Sequence, residues 1–354
     1  MKKVLLTGGG TAGHVTPNIA LMPYLEKQGF EISYMGSYSG IEKNLIEELG
    51  IPYTGIDSGK LRRYLSVQNL KDPYHVFHGY REAKAYMKKN RPDVVFSKGG
   101  FVAVPVVFAA RKNKIPIVVH ESDLSPGLAN RLCIKKADVV CYSFPETEAL
   151  LTKAKSKVCT GLPVRDELMA GDKKKGLAFC GLEEGKPVLM VIGGSLGSVK
   201  VNEAVRSALP KLLKRFNVIH LCGKEKVDES VKYPGYVQFE YINEELPDLY
   251  AAADVLISRA GSNVIHEIVS LKKPSILIPL DLDASRGDQI ENANSFKKQG
   301  FCEVLREADL SDEKLCAMVN SVYDDRAQYI EAMEASHQMK AAEKIAEIIA
   351  RTAK

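Results

Sequence analysis

No stretch of this 354-residue chain approaches the roughly 20 consecutive apolar residues that cross a bilayer, and the apolar start Val4 to Leu6 is too short for a secretory signal. A cytoplasmic protein is expected. Cysteine is sparse: Cys133, Cys141, Cys159, Cys180, Cys222, Cys302 and Cys316 are odd in number, widely scattered and form no C-x-x-C pair. That pattern indicates neither a disulfide framework nor a C-x-x-C zinc site, and buried free thiols are expected. Acidic residues are scarce in the first half, where 23 Lys and Arg stand against 14 Asp and Glu up to Pro163, a balance of +9 within an overall +5. A basic half favours an anionic partner: nucleic acid, an acidic membrane surface or a phosphorylated substrate. An uneven but solvated surface is the alternative.

What is present is a motif that occurs twice. The apolar run Val4 to Thr7 breaks into Gly8-Gly9-Gly10-Thr11-Ala12-Gly13-His14, and Val188 to Ile192 breaks into Gly193-Gly194-Ser195-Leu196-Gly197. Glycines after a strand let the backbone turn sharply against a bound group, and the helix that follows offers free N–H groups to phosphate. A nucleotide or a phosphorylated sugar is the natural guest; a plain strand-to-helix turn is the alternative for either loop alone.

At ~150 residues per domain the length suggests two domains. Short apolar runs alternate with helical stretches in both halves, which predicts two α/β, doubly wound, Rossmann-like domains with parallel strands. Strands are expected at Val4–Thr7, Glu31–Gly36, Val94–Ser97, Ile117–His120, Val139–Tyr142 and Lys157–Thr160, then at Val188–Ile192, Val218–Cys222, Val237–Phe239, Val255–Ser258, Ser275–Ile278 and Cys302–Leu305. Helices are expected at Asn18–Lys27, Ile41–Leu49, Tyr80–Lys89 and Ala341–Ala350, and the join near Gly161-Leu162-Pro163-Val164-Arg165. Ligands bind outside the carboxyl ends of such strands, so two facing sheets would place their loops around one cleft.

Several strand ends carry candidate binding groups. Ser262 is a suitable N-cap after Gly261, and Glu267, about one turn further in, suits a ribose or serves as an ordinary helix glutamate. Asp288 and Gln289 are candidates for sugar hydroxyls, with helix capping the alternative for Asp288. His120 reads as a hydrogen-bonded core residue, and Asp123 as a residue facing the cleft. The run Lys98-Gly99-Gly100-Phe101 adds a glycine turn.

Gly8 to His14 with Pro17, Lys98-Gly99-Gly100-Phe101, His120-Glu121, Gly161 to Arg165, Gly193-Gly194-Ser195 and Arg259-Ala260-Gly261 with Glu267, in this order, resemble glycosyltransferase family 28, and in it the MurG family of peptidoglycan glycosyltransferases. The resemblance implies the two-domain GT-B fold, with an acceptor and membrane-facing domain at 1–163, a UDP-sugar domain at 164–340 and a terminal helix at 341–354 placed to pack back on the first. It implies inverting transfer of N-acetylglucosamine from UDP-N-acetylglucosamine to the 4-hydroxyl of lipid I, the undecaprenyl-diphosphate-linked muramyl pentapeptide. Carried over by position, Ser195 and the backbone at Ser262 and Asn263 hold the diphosphate. Arg165 lies near the donor, Ile242 against uracil, Glu267 on ribose and Gln289 on the N-acetylglucosamine, with Asp288 a further sugar contact. Thr11, Ala12 and Gly13 face the reaction centre. The family commonly has Gly where this chain has Ala12 and Asn where it has Asp123; a methyl group narrows the loop, and a carboxylate loses donors and adds charge.

Helix N-termini stabilise a departing diphosphate without a metal, so neither metal nor cofactor is implied. His14, with an intrinsic pKa of ~6.5, suits the general base; positioning acceptor or donor is its alternative role. The segment Lys60-Leu61-Arg62-Arg63-Tyr64 through Arg81 mixes cations with Leu70, Tyr74, Val76, Phe77 and Tyr80, the make-up of a surface resting on an anionic bilayer. Packing of Val76, Phe77 and Tyr80 into the core is the alternative. The expected location is therefore peripheral, on the cytoplasmic face of the bacterial membrane, with cell-wall synthesis proteins as further partners and no nucleic acid. Rival readings are a galactosyltransferase acting on diacylglycerol, a UDP-N-acetylglucosamine 2-epimerase and a non-catalytic UDP-binding scaffold. A dehydrogenase would leave the second half unexplained.

Overall fold

The structure, a computed structural model, describes residues 1–59, 72–194, 197–282, 286–336 and 340–354. The chain divides into two compact units, Met1–Arg165 with Gln338–Lys354, and Asp166–His337. Val164 and Arg165 thus group with the first.

The first unit holds a sheet of β1 (Lys2–Thr7), β2 (Phe30–Ser37), β3 (Tyr53–Ile56), β4 (Val94–Ser97), β5 (Ile117–Glu121), β6 (Val139–Tyr142) and β7 (Lys157–Cys159), in the order β3-β2-β1-β4-β5-β6-β7. All pairings are parallel. Strand order reverses between β1 and β4, where Thr7 pairs with Ser97, and a reversal of this kind leaves a crevice at the carboxyl edge. The second unit is built the same way from β8 (Val188–Ile192), β9 (Asn217–Leu221), β10 (Tyr236–Phe239), β11 (Val255–Ser258), β12 (Ser275–Leu277) and β13 (Glu303–Val304), in the order β10-β9-β8-β11-β12-β13. Its reversal lies between β8 and β11, where Ile192 pairs with Ser258.

Central strands of such sheets are covered on both faces and read as continuous apolar runs. In β1, Val4 and Leu6 pack with Leu21, Leu25 and the terminal helix Ala341–Thr352, while Leu5 turns to the opposite face among Val95, Val104 and Val107. The terminal helix seats Ala342, Ile345, Ala346 and Ile349, one stripe at helical spacing, in the core of the first unit. Ile345 and Ile349 are wholly buried, contributing about 1.5–3 kcal/mol each, which ties the end of the chain back to its beginning.

The structure corrects several expectations. Tyr53–Ile56 is a strand that the pattern of apolar runs does not show, because it is a short, half-buried edge strand containing glycine. The helix expected from Tyr80 begins at Asp72, and that expected from Asn18 begins at Thr16. Six cysteines are buried as free thiols, but Cys159 is exposed on the edge strand β7.

Candidate active site

At the carboxyl edge of the first unit, the turn after β1 leads into a short 3-10 turn, Ala12–His14, ahead of helix Thr16–Lys27. The amide of His14 donates to Thr11 O (3.1 Å), that of Val15 to Ala12 O (2.9 Å), and Thr16 Oγ1 also donates to Ala12 O (3.2 Å). The turn after β4 interlocks with this one. Gly100 has φ of 83°, and a Cβ there would lie 2.2 Å from Gly9 O and 3.2 Å from His14 Cδ2, so the imidazole ring rests against a backbone that only glycine supplies.

Beneath the loop, wholly buried Glu42 accepts from Gly10 N (3.2 Å), Ser37 N (3.0 Å) and Ser37 Oγ (2.5 Å), and its carboxylate fills the space a Cβ would need at Gly9 and Gly40. Tyr34 Oη donates to Gly8 O (2.7 Å) and accepts from Asn18 Nδ2 (3.1 Å). The glycine loop is therefore held from below as well as from the side.

Beyond β5, His120 is buried with Nε2 donating to Gly161 O (2.9 Å), the core role expected for it. Its neighbour Glu121 is buried, and accepts from Asp123 N (3.0 Å), Gly127 N (3.3 Å) and Asn130 Nδ2 (2.9 Å). Lys98, wholly buried at the end of β4, donates through Nζ to Ser122 Oγ. Burial pulls the lysine down from its ordinary range while Glu121 and Asp123 oppose the shift; burial, aided by the charge of Asp123, pushes Glu121 up.

At the carboxyl edge of the second unit, helix Ser262–Ser270 starts directly after Gly261. Gly261, in extended conformation, is its N-cap and Ser262 its first helical residue, which corrects the expected cap by one position. Asn263 follows in the first turn. Glu267 is half-buried and accepts from the buried hydroxyl of Tyr250 (3.3 Å). Gln289 turns its Oε1 to two backbone donors, Ala260 N (3.3 Å) and Leu280 N (3.1 Å), which dictates its amide orientation. Helix Asp288–Lys298 is capped by Gly287 at φ of 86°, not by Asp288, which pairs with Arg286 (3.4 Å).

Residues to which sequence reasoning assigned no role knit this edge together. Arg259 donates to Ile278 O (3.0 Å), to Ser198 Oγ and to buried Glu307, which also meets Lys200 (3.0 Å). Ser198 in turn caps helix Val199–Leu212 through Val201 N (3.4 Å). One guanidinium thus joins the ends of β11 and β12 to the start of the helix after the second glycine loop. A buried arginine requires an acid, but nothing in the sequence marks Glu307 as that acid; Glu42 is likewise visible only in space.

Thr11, Ala12, Gly13 and His14 follow β1 and Asp123 follows β5 at the carboxyl edge of the first sheet, while Ser262, Asn263 and Glu267 lie on the helix after β11, and Asp288 and Gln289 on the helix after β12, at that of the second. Ile242 is half-buried just beyond β10, and Arg165, half-buried at the end of the first unit, has a buried Nε without a hydrogen-bond partner among the described residues. Ser195 lies outside the described residues, as do Leu70 and the cations Lys60, Arg62, Arg63 and Lys71. Of the expected membrane residues, Tyr74 and Phe77 are exposed at 68% and 59%, Val76 is half-buried, and Tyr80 packs against the core. Tyr80 is thus corrected from a surface ring to a partly buried one. Among the described residues, no group of three His, Cys, Asp or Glu could hold a metal ion, and no helix is long and apolar enough to cross a membrane.

Two doubly wound units, each with a glycine turn and a helix start at its switch point, are the architecture of GT-B glycosyltransferases. Residues 4–142 match the glycosyltransferase family 28 N-terminal domain and residues 188–349 the family's C-terminal domain. A curated relative from Lachnoclostridium phytofermentans, the UDP-N-acetylglucosamine–N-acetylmuramyl-(pentapeptide) pyrophosphoryl-undecaprenol N-acetylglucosamine transferase, is 61% identical over 99% of this chain and 98% of its own. The protein of the same description from Lachnospira eligens is 57% identical over 99% of both. Among solved structures, MurG of Acinetobacter baumannii matches with a TM-score of 0.78 and 26% identity, covering 99% of this chain and 100% of that one. A putative UDP-N-acetylglucosamine 2-epimerase from Listeria monocytogenes shares the fold alone, at a TM-score of 0.72 and 13% identity over 98% and 95%. The chain belongs to glycosyltransferase family 28 and, within it, to the MurG family.

Proposed function

We infer that this protein transfers N-acetylglucosamine from UDP-N-acetylglucosamine to the 4-hydroxyl of the muramyl residue of lipid I, giving lipid II and UDP. The observation that carries this reading is 61% identity to a transferase of that description, spread over 99% of the chain. We assign the nucleotide sugar to the edge of the second unit. The helix start at Ser262 and Asn263 and the loop Gly193–Gly197 receive the diphosphate, Glu267 the ribose, Ile242 the uracil and the NH₂ of Gln289 an oxygen of the sugar. The acceptor oxygen attacks the anomeric carbon, the bond from that carbon to the diphosphate breaks, and the electron pair leaves with UDP. The hydroxyl proton passes to His14. Charge developing on the diphosphate is stabilised by amide donors of the helix start.

Transfer of labelled sugar from UDP-N-acetylglucosamine to lipid I, followed by analysis of the lipid product, tests the assignment. Label in a lipid-linked disaccharide is expected. Release of altered sugar without acceptor would identify an epimerase, and UDP binding without turnover a scaffold.

The same reading places the enzyme peripherally on an anionic cytoplasmic membrane face. Support comes from helix Asp72–Asn90, which exposes Tyr74, Phe77, His78, Arg81 and Lys88 along one stripe while Ala83 and Met87 are buried. Exposed rings enter the interface and the cations meet head groups, at roughly 1 kcal/mol per basic residue. Binding to anionic vesicles is expected to weaken but persist as salt rises, because only the charged part is screened. Tyr74→Ser with Phe77→Ser should lower vesicle sedimentation and leave the thermal melt and UDP binding unchanged. Unaltered sedimentation would remove the membrane role of this helix.

A further inference from the structure

We propose that His220 is a positioning residue of the nucleotide edge: its ring sets the amide of Asn202, and Asn202 in turn fixes the end of β9 against Gly197 and the helix that starts after Ser198. The inference rests on the assignment of UDP to this edge and deepens it. His220 stands in the middle of β9, in the apolar run Val218-Ile219-His220-Leu221, and is wholly buried. A buried imidazole needs a partner at each ring nitrogen. Nδ1 lies 3.0 Å from Tyr236 Oη on β10, and Nε2 lies 3.0 Å from Oδ1 of buried Asn202 in helix Val199–Leu212.

These hydrogen bonds can run in one direction only. Asn202 Nδ2 donates to Cys222 O (2.9 Å), a backbone carbonyl that can only accept, so the amide turns its Oδ1 to His220. Nε2 therefore carries the ring proton, and Nδ1 accepts from the Tyr236 hydroxyl. Burial, with the charge of Arg206 adding to it, pushes the imidazole down to about 3, which keeps the ring neutral and this tautomer in place. The other end of the series meets the nucleotide edge. Gly197, at φ of 65°, has no room for a side chain, because a Cβ there would lie 1.9 Å from Cys222 O, the atom that Asn202 holds. Asn202 also closes the first turn of its helix, its amide donating to Ser198 O (2.9 Å). A side chain oriented by His220 thus ties the helix after β8 to the end of the neighbouring strand β9.

The test is to measure UDP affinity, kcat, KM for both substrates and melting temperature in the wild type, H220L, H220Q, N202A and the H220L/N202A double variant. Leucine fills space without a donor, whereas glutamine keeps an N–H for Asn202. His220→Leu is expected to raise the UDP dissociation constant and KM for UDP-N-acetylglucosamine about tenfold with KM for lipid I unchanged, and His220→Gln to stay within about threefold of the wild type. Because His220 acts through Asn202, the double variant should bind UDP within about twofold of N202A alone. A lower melting temperature with UDP affinity unchanged in H220L would make the series purely structural and overturn the inference. Losses that multiply in the double variant, or an equal loss in H220Q, would also overturn it. Glu267→Ala tells two failures apart: if it weakens UDP binding while His220→Leu does not, the inference alone falls, and if neither does, the assignment of UDP to this edge falls with it. Should H220L fail to fold, weaker UDP binding in N202A with near-normal binding in H220Q supports the inference, and any other pattern overturns it.

Discussion

Replacing His14 with alanine is expected to lower turnover at saturating substrates by about 10²–10⁴-fold while leaving the dissociation constant for UDP unchanged. The expectation follows from where the residue stands. His14 ends a 3-10 turn in which its own amide donates to Thr11 O and that of Val15 to Ala12 O, and its ring rests against Gly100. The groups assigned to UDP under this reading belong to the other unit. Gly100→Ala is the companion variant: its methyl would have to displace Gly9 O or the His14 ring, so it should reproduce the fall in turnover with the imidazole still present. Steady-state kinetics beside titration calorimetry with UDP provide the check. Near-normal turnover in His14→Ala would end the assignment of the base.

Glu267→Ala should weaken UDP binding by ~1.5–3 kcal/mol, about 10- to 150-fold, because a charged acceptor for the ribose hydroxyls is lost. Tyr250, which donates to this carboxylate from the core, keeps it oriented in the free protein. Gln289→Glu should behave differently. It retains an oxygen for the amides of Ala260 and Leu280 but removes the NH₂ donor, so KM for UDP-N-acetylglucosamine should rise on the order of tenfold with little change in UDP affinity. An unchanged UDP dissociation constant in Glu267→Ala, or a loss of UDP affinity in Gln289→Glu equal to the loss for the sugar nucleotide, would show that the two roles are misassigned.

The apolar runs of the chain determined the two doubly wound sheets, because a strand covered on both faces has to be apolar throughout and its periodicity is local. Val4 to Thr7 and Val188 to Ile192 could be read in this way, whereas Tyr53–Ile56 could not: as a half-buried edge strand it takes its structure from pairing with β2. The glycine turns were legible for the same local reason, and so were the histidine that follows the first and the helix start that follows Gly261. Which atom of Gln289 reaches outward, which acid meets Arg259, what lies beneath the glycine loop and why a lysine is buried at position 98 were decided only by tertiary structure. Glu307 stands 48 residues from Arg259, and Glu42 32 residues from Gly10. A buried charge or an orphan amide states that a partner is required, but only the folding of distant segments against one another determines which residue supplies it.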